Sequence, residues 1–552
     1  MKFDAVLVEP RRARMEAAGL WQGRTPLDHF EACLAEKPAA TALVGVRVGT
    51  GTRAAFTYAE LDRLSWRAAA GLRRLGLKRD DVLACQLPNS WEFLVLYLAC
   101  CKLGIVFNPV MPIFRERELR FMLRHGEVPV FVVPKTLRNF DHEAMAEAMR
   151  PDLPDLRHVV VAGGEGPNAF QHALLDPALE AEIAGARAAS ARDRSGANDV
   201  CQLIYTSGTT GEPKGVMHTA NTMFANLSAY AERLRLGAGD TVLMASPMAH
   251  QTGFMYGVLL PFMLRAPLVV TDMWDKALAA RLVAAERISF TMASTPFLMD
   301  LAAAVEDERT DCSSLRIFLC AGTAIPGPVV ERAEKALGAK VISAWGMTEN
   351  GAVSLVAPDD PPERSVNTDG FALEGMELQV RGGDGAPLGP GGEGELYVRG
   401  CSNFVGYLKR PQWNATDADG WFHTGDLARM DERGYIRICG RSKDVIIRGA
   451  ENIPVVEVEA LLYGHPAVQQ VAIVAYPDER LGERACAFVV PRQGAAFDFA
   501  EMVRFLDAEK LARQFYPERL EIRDALPSTA SGKIQKFVLR QLLREEYEQA
   551  KA

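Results

Sequence analysis

The sequence predicts an α/β protein with a large N-terminal domain, made of two similar α/β subdomains and a small β-rich subdomain, followed by a small α+β C-terminal domain. Helix-like and strand-like segments alternate over residues 56–109, as they do in α/β folds. Part of this pattern returns 159 residues further along the chain. Beyond residue 374 a Gly- and Pro-rich stretch precedes short strands with alternating polarity.

The internal repeat rests on four matched positions, with an apolar strand before the proline of each copy. They are Leu75, Leu77, Asp81 and Pro88 in the first copy, and Leu234, Leu236, Asp240 and Pro247 in the second. The repeat predicts two similar α/β halves packed together. Residues 179–198, rich in Ala, Arg and Ser, are expected to form a polar helix or linker between the halves.

A chain of 552 residues is too long for one compact core, so more than one domain is expected. A change of pattern near residues 440–444 marks the main boundary. We expect an N-terminal domain over residues 1–440 and a C-terminal domain over residues 441–552. The latter should contain a helix at 455–463, a strand at 471–475 and a closing helix from residue 537.

Composition excludes several classes of protein. The chain has 62 basic and 70 acidic residues and a net charge of -8, whereas a nucleic-acid binder would usually be basic. The ten cysteines form no CxxC pair, and adjacent Cys100 and Cys101 lie in an apolar run typical of a reduced core. That run ends at Lys102, too short to cross a membrane, and the first residues do not resemble a signal peptide. A cytoplasmic protein is expected.

Five short apolar runs each end in a loop of small or polar residues. They cover residues 202–205, 242–245, 289–292, 317–320 and 341–344. Ligands of open α/β sheets bind where the strands end at their carboxyl sides. The five loops are therefore expected to build one crevice.

The loop after the first run has the strongest chemical character. Its small and hydroxyl residues allow close backbone approach and offer donors, and its lysine supplies a cation, which suits a polyphosphate. Its spacing is not that of a Walker A motif, since six residues separate its first glycine from the one after the lysine. The candidate ligands are Thr206, Ser207, Gly208, Thr209, Thr210, Gly211 and Lys214.

This loop resembles the phosphate loop of the adenylate-forming (AMP-binding) superfamily. Four further motifs of that family follow in the family's order, at residues 345–349, 420–426, 440–444 and 527–533. The resemblance extends over about residues 57–540. It implies a ligase that uses ATP, Mg²⁺ and coenzyme A: a carboxylate attacks the α-phosphorus, pyrophosphate leaves, and the thiol of coenzyme A takes the acyl group from the acyl-adenylate.

The resemblance also implies roles for the charged residues of these motifs. Lys533 should reach the substrate carboxylate and the α-phosphate, and Lys214 should bind phosphate. Glu349 should bind Mg²⁺ with the Thr206 hydroxyl. Phosphate charge builds up in the first step, so these groups are expected to be catalytic. His250 is expected to line the acyl tunnel near the carboxylate, with a hydrogen-bonded core histidine as the alternative.

For the nucleoside, the resemblance implies that Asp426 accepts the two ribose hydroxyls, with help from Arg441. Trp345 occupies a position where the family usually has Tyr and should stack on adenine. The remaining candidate contacts are Ala321, Gly322, Thr323, Gly346 and Thr348 around the nucleotide, and Gly449 in a loop that approaches coenzyme A. Lys443 corresponds to the family's hinge, about which the C-terminal domain would move between the two steps.

The acid is expected to be medium-chain or alicyclic. Residues 246–254 contain no acidic side chain that could pair with an amino group, and the pocket candidates are apolar: Met248, Phe254, Met255, Phe297 and Met347. The narrower resemblance is to cyclohexanecarboxylate and short- to medium-chain fatty acyl-CoA ligases. Alternatives are an aryl-acid-CoA ligase, an acyl-AMP ligase with another acceptor, a luciferase-like oxygenase and an ATP sensor. The protein is expected to be a monomer or a homodimer.

Overall fold

The computed structural model describes residues 1, 3–206, 213–321, 325, 327–441, 445–448, 451–478, 481–529 and 532–551. No described helix has the length and apolar character required to cross a bilayer. The described α-helices are Glu9–Ala17, Pro26–Glu36, Tyr58–Arg74, Trp91–Leu103, Glu116–His125, His142–Met149, Phe170–Leu175, Ile183–Asp193, Ala220–Leu234, Gln251–Gly253, Leu260–Leu264, Lys276–Ala285, Thr295–Glu308, Gly327–Leu337, Pro362–Asn367, Val455–Tyr463, Phe499–Ala508 and Lys536–Lys551. A π-helix covers Phe254–Leu259, and short 3₁₀-helices cover Arg150–Asp152, Pro177–Glu182, Pro411–Trp413 and Arg513–Phe515.

Two large sheets form the N-terminal part of the molecule. The first has seven strands in the order Gly406–Tyr407, Lys214–Thr219, Val200–Thr206, Val106–Pro109, Val82–Cys85, Val130–Pro134 and His158–Ala162. The second has nine strands in the order Phe371–Ala372, Gly351–Leu355, Lys340–Met347, Ile317–Ala321, Phe290–Ala293, Val242–Met244, Leu268–Thr271, Thr41–Arg47 and Thr52–Thr57. Their central strands are parallel and almost entirely apolar, as buried parallel strands are.

Two antiparallel or mixed sheets complete the fold, together with the small pair Thr136–Leu137 and Phe140–Asp141. The β-rich subdomain has the strands Met376–Arg381, Glu393–Gly400, Phe422–Met430 and Ile436–Arg441. The C-terminal sheet has the strands Glu451–Ile453, Ile446–Arg448, Gly482–Pro491, Val468–Asp478 and Arg519–Ile522. Separate apolar clusters fill this last unit, so it is a small domain with a core of its own.

The predicted repeat is present in three dimensions. A capped helix leads into a buried strand in each copy, at Tyr58–Arg74 and Val82–Cys85 and again at Ala220–Leu234 and Val242–Met244. The matched aspartates also act alike: Asp81 accepts a hydrogen bond from the amide of Lys78, and Asp240 from that of Gly237. The α/β fold with two similar halves is therefore confirmed.

Residues 179–198 were expected to form a polar helix or a linker between the halves; they form the helix, and they do not link the halves. The segment does contain the helix Ile183–Asp193, but its buried face packs on Tyr58–Arg74 within the first half. The next strands, Val200–Thr206 and Lys214–Thr219, stay in the seven-stranded sheet. The strand Thr41–Arg47, from the start of the chain, joins the nine-stranded sheet instead. The two halves are interleaved in sequence, because strand pairing is decided by contacts between distant segments.

Candidate active site

Four of the five predicted loops leave one sheet side by side. The strands Val242–Met244, Phe290–Ala293, Ile317–Ala321 and Lys340–Met347 are consecutive and parallel in the nine-stranded sheet, so their carboxyl ends share one edge. The fifth strand, Val200–Thr206, belongs to the seven-stranded sheet, so the five predicted loops come from two sheets. Contacts between described residues, given below, connect the two sheets near this edge.

The segment Trp345–Glu349 covers the end of the strand Lys340–Met347 and the start of the turn after it. Gly346 packs so tightly on the neighbouring strand that a Cβ atom would lie 1.9 Å from the carbonyl oxygen of Gly351, which explains why only glycine fits there. Ala321 pairs in register with Ala344 beside it. The carbonyl oxygen of Thr348 is hydrogen-bonded at 2.8 Å to Nε2 of the buried His218, on the strand Lys214–Thr219 of the other sheet. The two sheets are thus joined directly at the site.

Glu349 lies in the turn between Lys340–Met347 and Gly351–Leu355 and is buried. The Tyr407 hydroxyl donates a 2.7 Å hydrogen bond to its Oε1, and the Phe404 amide donates to its backbone carbonyl at 2.6 Å. Burial raises the pKa of Glu349, while the bond from Tyr407 and the charges of Lys214 and Arg441 oppose that rise. The nearby cations favour the ionised form of Glu349, and an ionised carboxylate is a hard oxygen ligand of the kind that Mg²⁺ uses.

Lys214 lies over the ring of Tyr407. Its Nζ is 4.8 Å from the centre of the Tyr407 ring and 5.7 Å from that of Trp413, a cation–π arrangement with two aromatic faces. Across the hairpin, Lys214 pairs in register with Thr206, the last residue of its strand. The two residues that flank the candidate phosphate loop are therefore neighbours, and the Lys214 side chain contacts the same tyrosine as Glu349.

Asp426 is buried on the strand Phe422–Met430 of the β-rich subdomain. Trp345 Nε1 donates a 2.9 Å hydrogen bond to its Oδ2, and Arg441 Nε forms a 2.8 Å ion pair with its Oδ1. Three residues predicted to contact the nucleoside, from three strands and two sheets, are therefore brought together.

His250 precedes the helix Gln251–Gly253, and its Nδ1 accepts a hydrogen bond from the Thr252 amide at 3.3 Å. Burial, followed by the positive charge of Lys533, lowers the pKa of His250 to about 4. The ring is therefore neutral near pH 7, and its proton is on Nε2 because Nδ1 is an acceptor. The π-helix that follows contains the pocket candidates Phe254 and Met255, both fully buried. π-Helical turns are often found at functional sites.

Lys533 lies on a tight hairpin of the C-terminal domain. The Thr529 amide donates to the Lys533 carbonyl oxygen at 2.7 Å, and the Lys533 amide donates to Thr529 Oγ1 at 3.0 Å. A Cβ atom on Gly532 would lie 3.0 Å from Ser294 Oγ and 3.3 Å from Pro296 Cγ, so the hairpin packs on the loop after Phe290–Ala293. This contact brings the C-terminal domain to the shared strand edge.

Several predicted residues lie outside the described part of the chain: Ser207, Gly208, Thr209, Thr210, Gly211, Gly322, Thr323, Lys443 and Gly449. Next to the last of these, Arg448 is described, and it forms an ion pair of 2.5 Å with Glu518 inside the C-terminal domain. Among the described residues, no group of three or more His, Cys, Asp and Glu side chains is arranged around a cation. Mg²⁺ commonly uses one or two carboxylates together with substrate phosphates, so a cluster of three protein ligands is not required for it.

Three residues of the site were missed by the sequence analysis. Tyr407 and Trp413 surround Lys214, and His218 joins the two sheets. Gly406–Tyr407 is a two-residue strand at the edge of the seven-stranded sheet. Its sequence does not distinguish it from an ordinary edge strand without a functional role. Of the three residues, only His218 could have been suspected from the sequence, because it is a histidine in an apolar strand next to the candidate loop.

Comparisons with known proteins identify the family of the chain. The family model of the AMP-binding enzymes matches residues 30–408, and the model of the AMP-binding enzyme C-terminal domain matches residues 457–533. The medium-chain fatty-acid–CoA ligase of Escherichia coli strain K12 is 36% identical over 545 residues, covering 98% of this chain and 94% of that protein. A salicylyl-CoA synthase / salicylate adenylyltransferase of Streptomyces is 34% identical over 546 residues, covering 98% and 97%.

Among solved structures, an anthranilate CoA ligase in complex with anthranoyl-AMP has the same fold, with a TM-score of 0.84 at 24% identity, covering 95% of this chain and 98% of that one. The chain belongs to the AMP-binding enzyme family, whose members are adenylate-forming enzymes. Within that family it is a ligase of the AMP-forming acyl-CoA synthetase class.

Proposed function

We propose that this protein is an ATP-dependent carboxylate–CoA ligase that acts on a medium-chain or alicyclic carboxylic acid. The observation that carries the proposal is the contact of the Lys533 hairpin with the Ser294 loop, close enough for the charge of Lys533 to act on His250. It supports a reaction centre between the acid pocket behind His250 and the nucleotide residues Trp345 and Asp426.

The first step forms a bond between a carboxylate oxygen of the acid and the α-phosphorus of ATP, and pyrophosphate leaves. Lys533 orients the attacking carboxylate and stabilises the negative charge that develops on the α-phosphate oxygens. Lys214 leaves its position over Tyr407 to bind phosphate, because the attraction of a phosphate for an ammonium group exceeds that of an aromatic face. Glu349 and the Thr206 hydroxyl would hold Mg²⁺, which supplies further neutralisation of phosphate charge when it is bound.

In the second step the thiol of coenzyme A attacks the acyl carbonyl carbon, the thiol proton is lost to solvent or a base, and AMP leaves. Coenzyme A must approach the carbonyl that Lys533 contacted. We therefore include in the proposal a hinge near Lys443, between a domain of residues 1–440 and one of residues 441–552, about which the hairpin withdraws. Arg441, which is bonded to Asp426, then lies beside the hinge and links it to the nucleoside.

The choice of acid rests on the apolar side chains behind His250. Met248, Phe254 and Met255 are buried, and no acidic residue lies among residues 246–254. Phe254 packs against Tyr97 and Phe107, with ring centres 5.1 and 6.1 Å apart, so it forms a rigid apolar wall. Such a pocket favours an aliphatic or alicyclic tail and offers no partner for an ammonium group.

A second candidate is an aryl-acid ligase, because the similarity to the Streptomyces salicylyl-CoA synthase / salicylate adenylyltransferase is nearly as high as that to the fatty-acid ligase. One panel experiment separates the two. AMP release from ATP is measured with and without coenzyme A, using acetate, butyrate, hexanoate, octanoate, decanoate, cyclohexanecarboxylate, benzoate, salicylate and 2,3-dihydroxybenzoate.

The proposal expects the largest turnover with hexanoate, octanoate or cyclohexanecarboxylate, and only in the presence of coenzyme A. Turnover confined to the aryl acids would establish the second candidate. Pyrophosphate formation that does not respond to coenzyme A would contradict the choice of acceptor. The Lys533→Ala variant provides the background rate.

A further inference from the structure

The indole of Trp345 and the carboxylate of Asp426 form a buried hydrogen bond between two different sheets. Trp345 lies on Lys340–Met347 of the nine-stranded sheet, and Asp426 on Phe422–Met430 of the β-rich subdomain. Both residues are buried, and Nε1 lies 2.9 Å from Oδ2. The other carboxylate oxygen, Oδ1, forms an ion pair with Arg441 Nε at 2.8 Å. Each oxygen of Asp426 therefore has one donor of its own, and rotation about the last bond of the side chain is restricted.

We propose that Trp345 is a positioning residue that orients Asp426 for the two ribose hydroxyls and thereby increases the preference of the site for ribonucleotides over 2′-deoxyribonucleotides. This inference rests on the proposed function, in which Asp426 accepts those hydroxyls. An ionised carboxylate has about four lone-pair sites, so each oxygen can still accept a hydroxyl after bonding Trp345 or Arg441.

An indole has different hydrogen-bonding properties from the tyrosine usual at this position. An indole Nε1–H is a donor only and points in a fixed direction, whereas a phenol hydroxyl rotates and also accepts. Trp345 therefore cannot compete with Asp426 for the hydroxyl protons of a ribose. A carboxylate that is oriented before binding loses less conformational freedom when it accepts a vicinal diol. This gain in binding free energy depends on the ribose diol and not on the adenine base.

The test measures nucleotide binding directly, without any acid substrate. Dissociation constants of AMP and 2′-deoxy-AMP are determined by calorimetry for the wild type, Trp345→Phe and Trp345→Tyr. Phenylalanine keeps an aromatic face for adenine but has no polar hydrogen. The matched control is Trp274→Phe, because Trp274 Nε1 also donates to a carboxylate, Asp300, at 2.9 Å.

We expect Trp345→Phe to weaken AMP binding by on the order of ten-fold and 2′-deoxy-AMP binding by much less. The dissociation constant of 2′-deoxy-AMP divided by that of AMP should therefore fall towards one. Trp345→Tyr should give an intermediate ratio, and Trp274→Phe the wild-type ratio. Equal weakening of both nucleotides in Trp345→Phe would overturn the inference, as stacking alone would then explain the residue.

If Trp345→Phe does not fold, Trp345→Tyr decides: a ratio at or above the wild-type value would overturn the inference. Failure of the proposed function gives a different result. In that case the wild type would show no coenzyme A-dependent turnover with the aliphatic and alicyclic acids of the panel, whatever its affinity for AMP. A wild type that binds AMP and 2′-deoxy-AMP equally would instead overturn the inference.

Discussion

The Tyr407 hydroxyl donates a 2.7 Å hydrogen bond to the Glu349 carboxylate across 58 residues of sequence. The bond restricts the orientation of the proposed metal ligand. The same phenol ring carries Lys214 on its face. One tyrosine therefore holds both the anionic and the cationic group that the proposed reaction needs at the phosphates.

Tyr407→Phe should make the enzyme more sensitive to acid. Burial raises the pKa of Glu349 and the Tyr407 bond lowers it, so removing the hydroxyl raises that pKa further. The carboxylate must be ionised to bind Mg²⁺, and activity is lost as pH falls through its pKa. The acid limb of kcat/KM for ATP should therefore move to higher pH in the variant.

A pH profile of the wild type and the variant, at several Mg²⁺ concentrations, checks this. Higher Mg²⁺ should move the limb of the variant back towards the wild-type position, because the cation competes with protons. If the acid limb does not move and kcat/KM falls equally at every pH, Tyr407 has a structural role and does not influence the ionisation of Glu349.

Lys533→Ala should separate the two half-reactions. Adenylation is expected to fall at least ~10²-fold, since one charge that stabilises the transition state is lost. Formation of the thioester from supplied acyl-AMP should fall much less. Lys536→Ala is the matched control, because Lys536 lies three residues away and pairs with Glu459 at 2.7 Å. Equal losses in both half-reactions would contradict the proposed withdrawal of the hairpin.

Gly532→Ala tests the docking contact of the hairpin. Gly532 has φ +81° and little space beyond it, whereas Gly494 has φ +77° and no atom within 4 Å of the position that a Cβ atom would take. Both alanine variants should lose about 1 kcal/mol of stability, the usual cost of the left-handed conformation for a residue with a side chain. Only Gly532→Ala should also reduce adenylation, by about ten-fold. Comparable kinetics of the two variants would show that the Ser294 contact is not required.

His250→Asn should alter the choice of acid. The Asn oxygen can replace Nδ1 as the acceptor for the Thr252 amide, so the helix start and the overall stability should change by less than ~1 kcal/mol. The ratio of kcat/KM for octanoate to that for salicylate should fall by about ten-fold, because the pocket gains an amide and loses ring volume. His250→Ala, which also removes the cap, provides the comparison. A ratio that stays constant in both variants would place His250 in the core rather than in the pocket.

The parts of the fold that sequence could predict are those determined locally. The buried parallel strands appear as apolar runs, and the helix Val455–Tyr463 begins and ends where its pattern does. The interleaving of the sheets could not be predicted, because Thr41–Arg47 pairs with Leu268–Thr271, which is distant in sequence. Motif order could indicate that Trp345 and Asp426 belong to one site. Only the structure shows their bond, since it joins residues 81 positions apart on different sheets.

Lys533 follows the other residues of the site in the sequence, and this order has a consequence during synthesis of the protein. A ribosome adds roughly 5–20 residues per second, and N-terminal domains generally fold first. The loop at Ser294 and the residues around Glu349 and Asp426 emerge long before Lys533. Under the proposed function, a nascent chain can bind nucleotide and acid but cannot join them. Adenylate, a reactive mixed anhydride, is then not formed until the domain that also governs its transfer has left the ribosome.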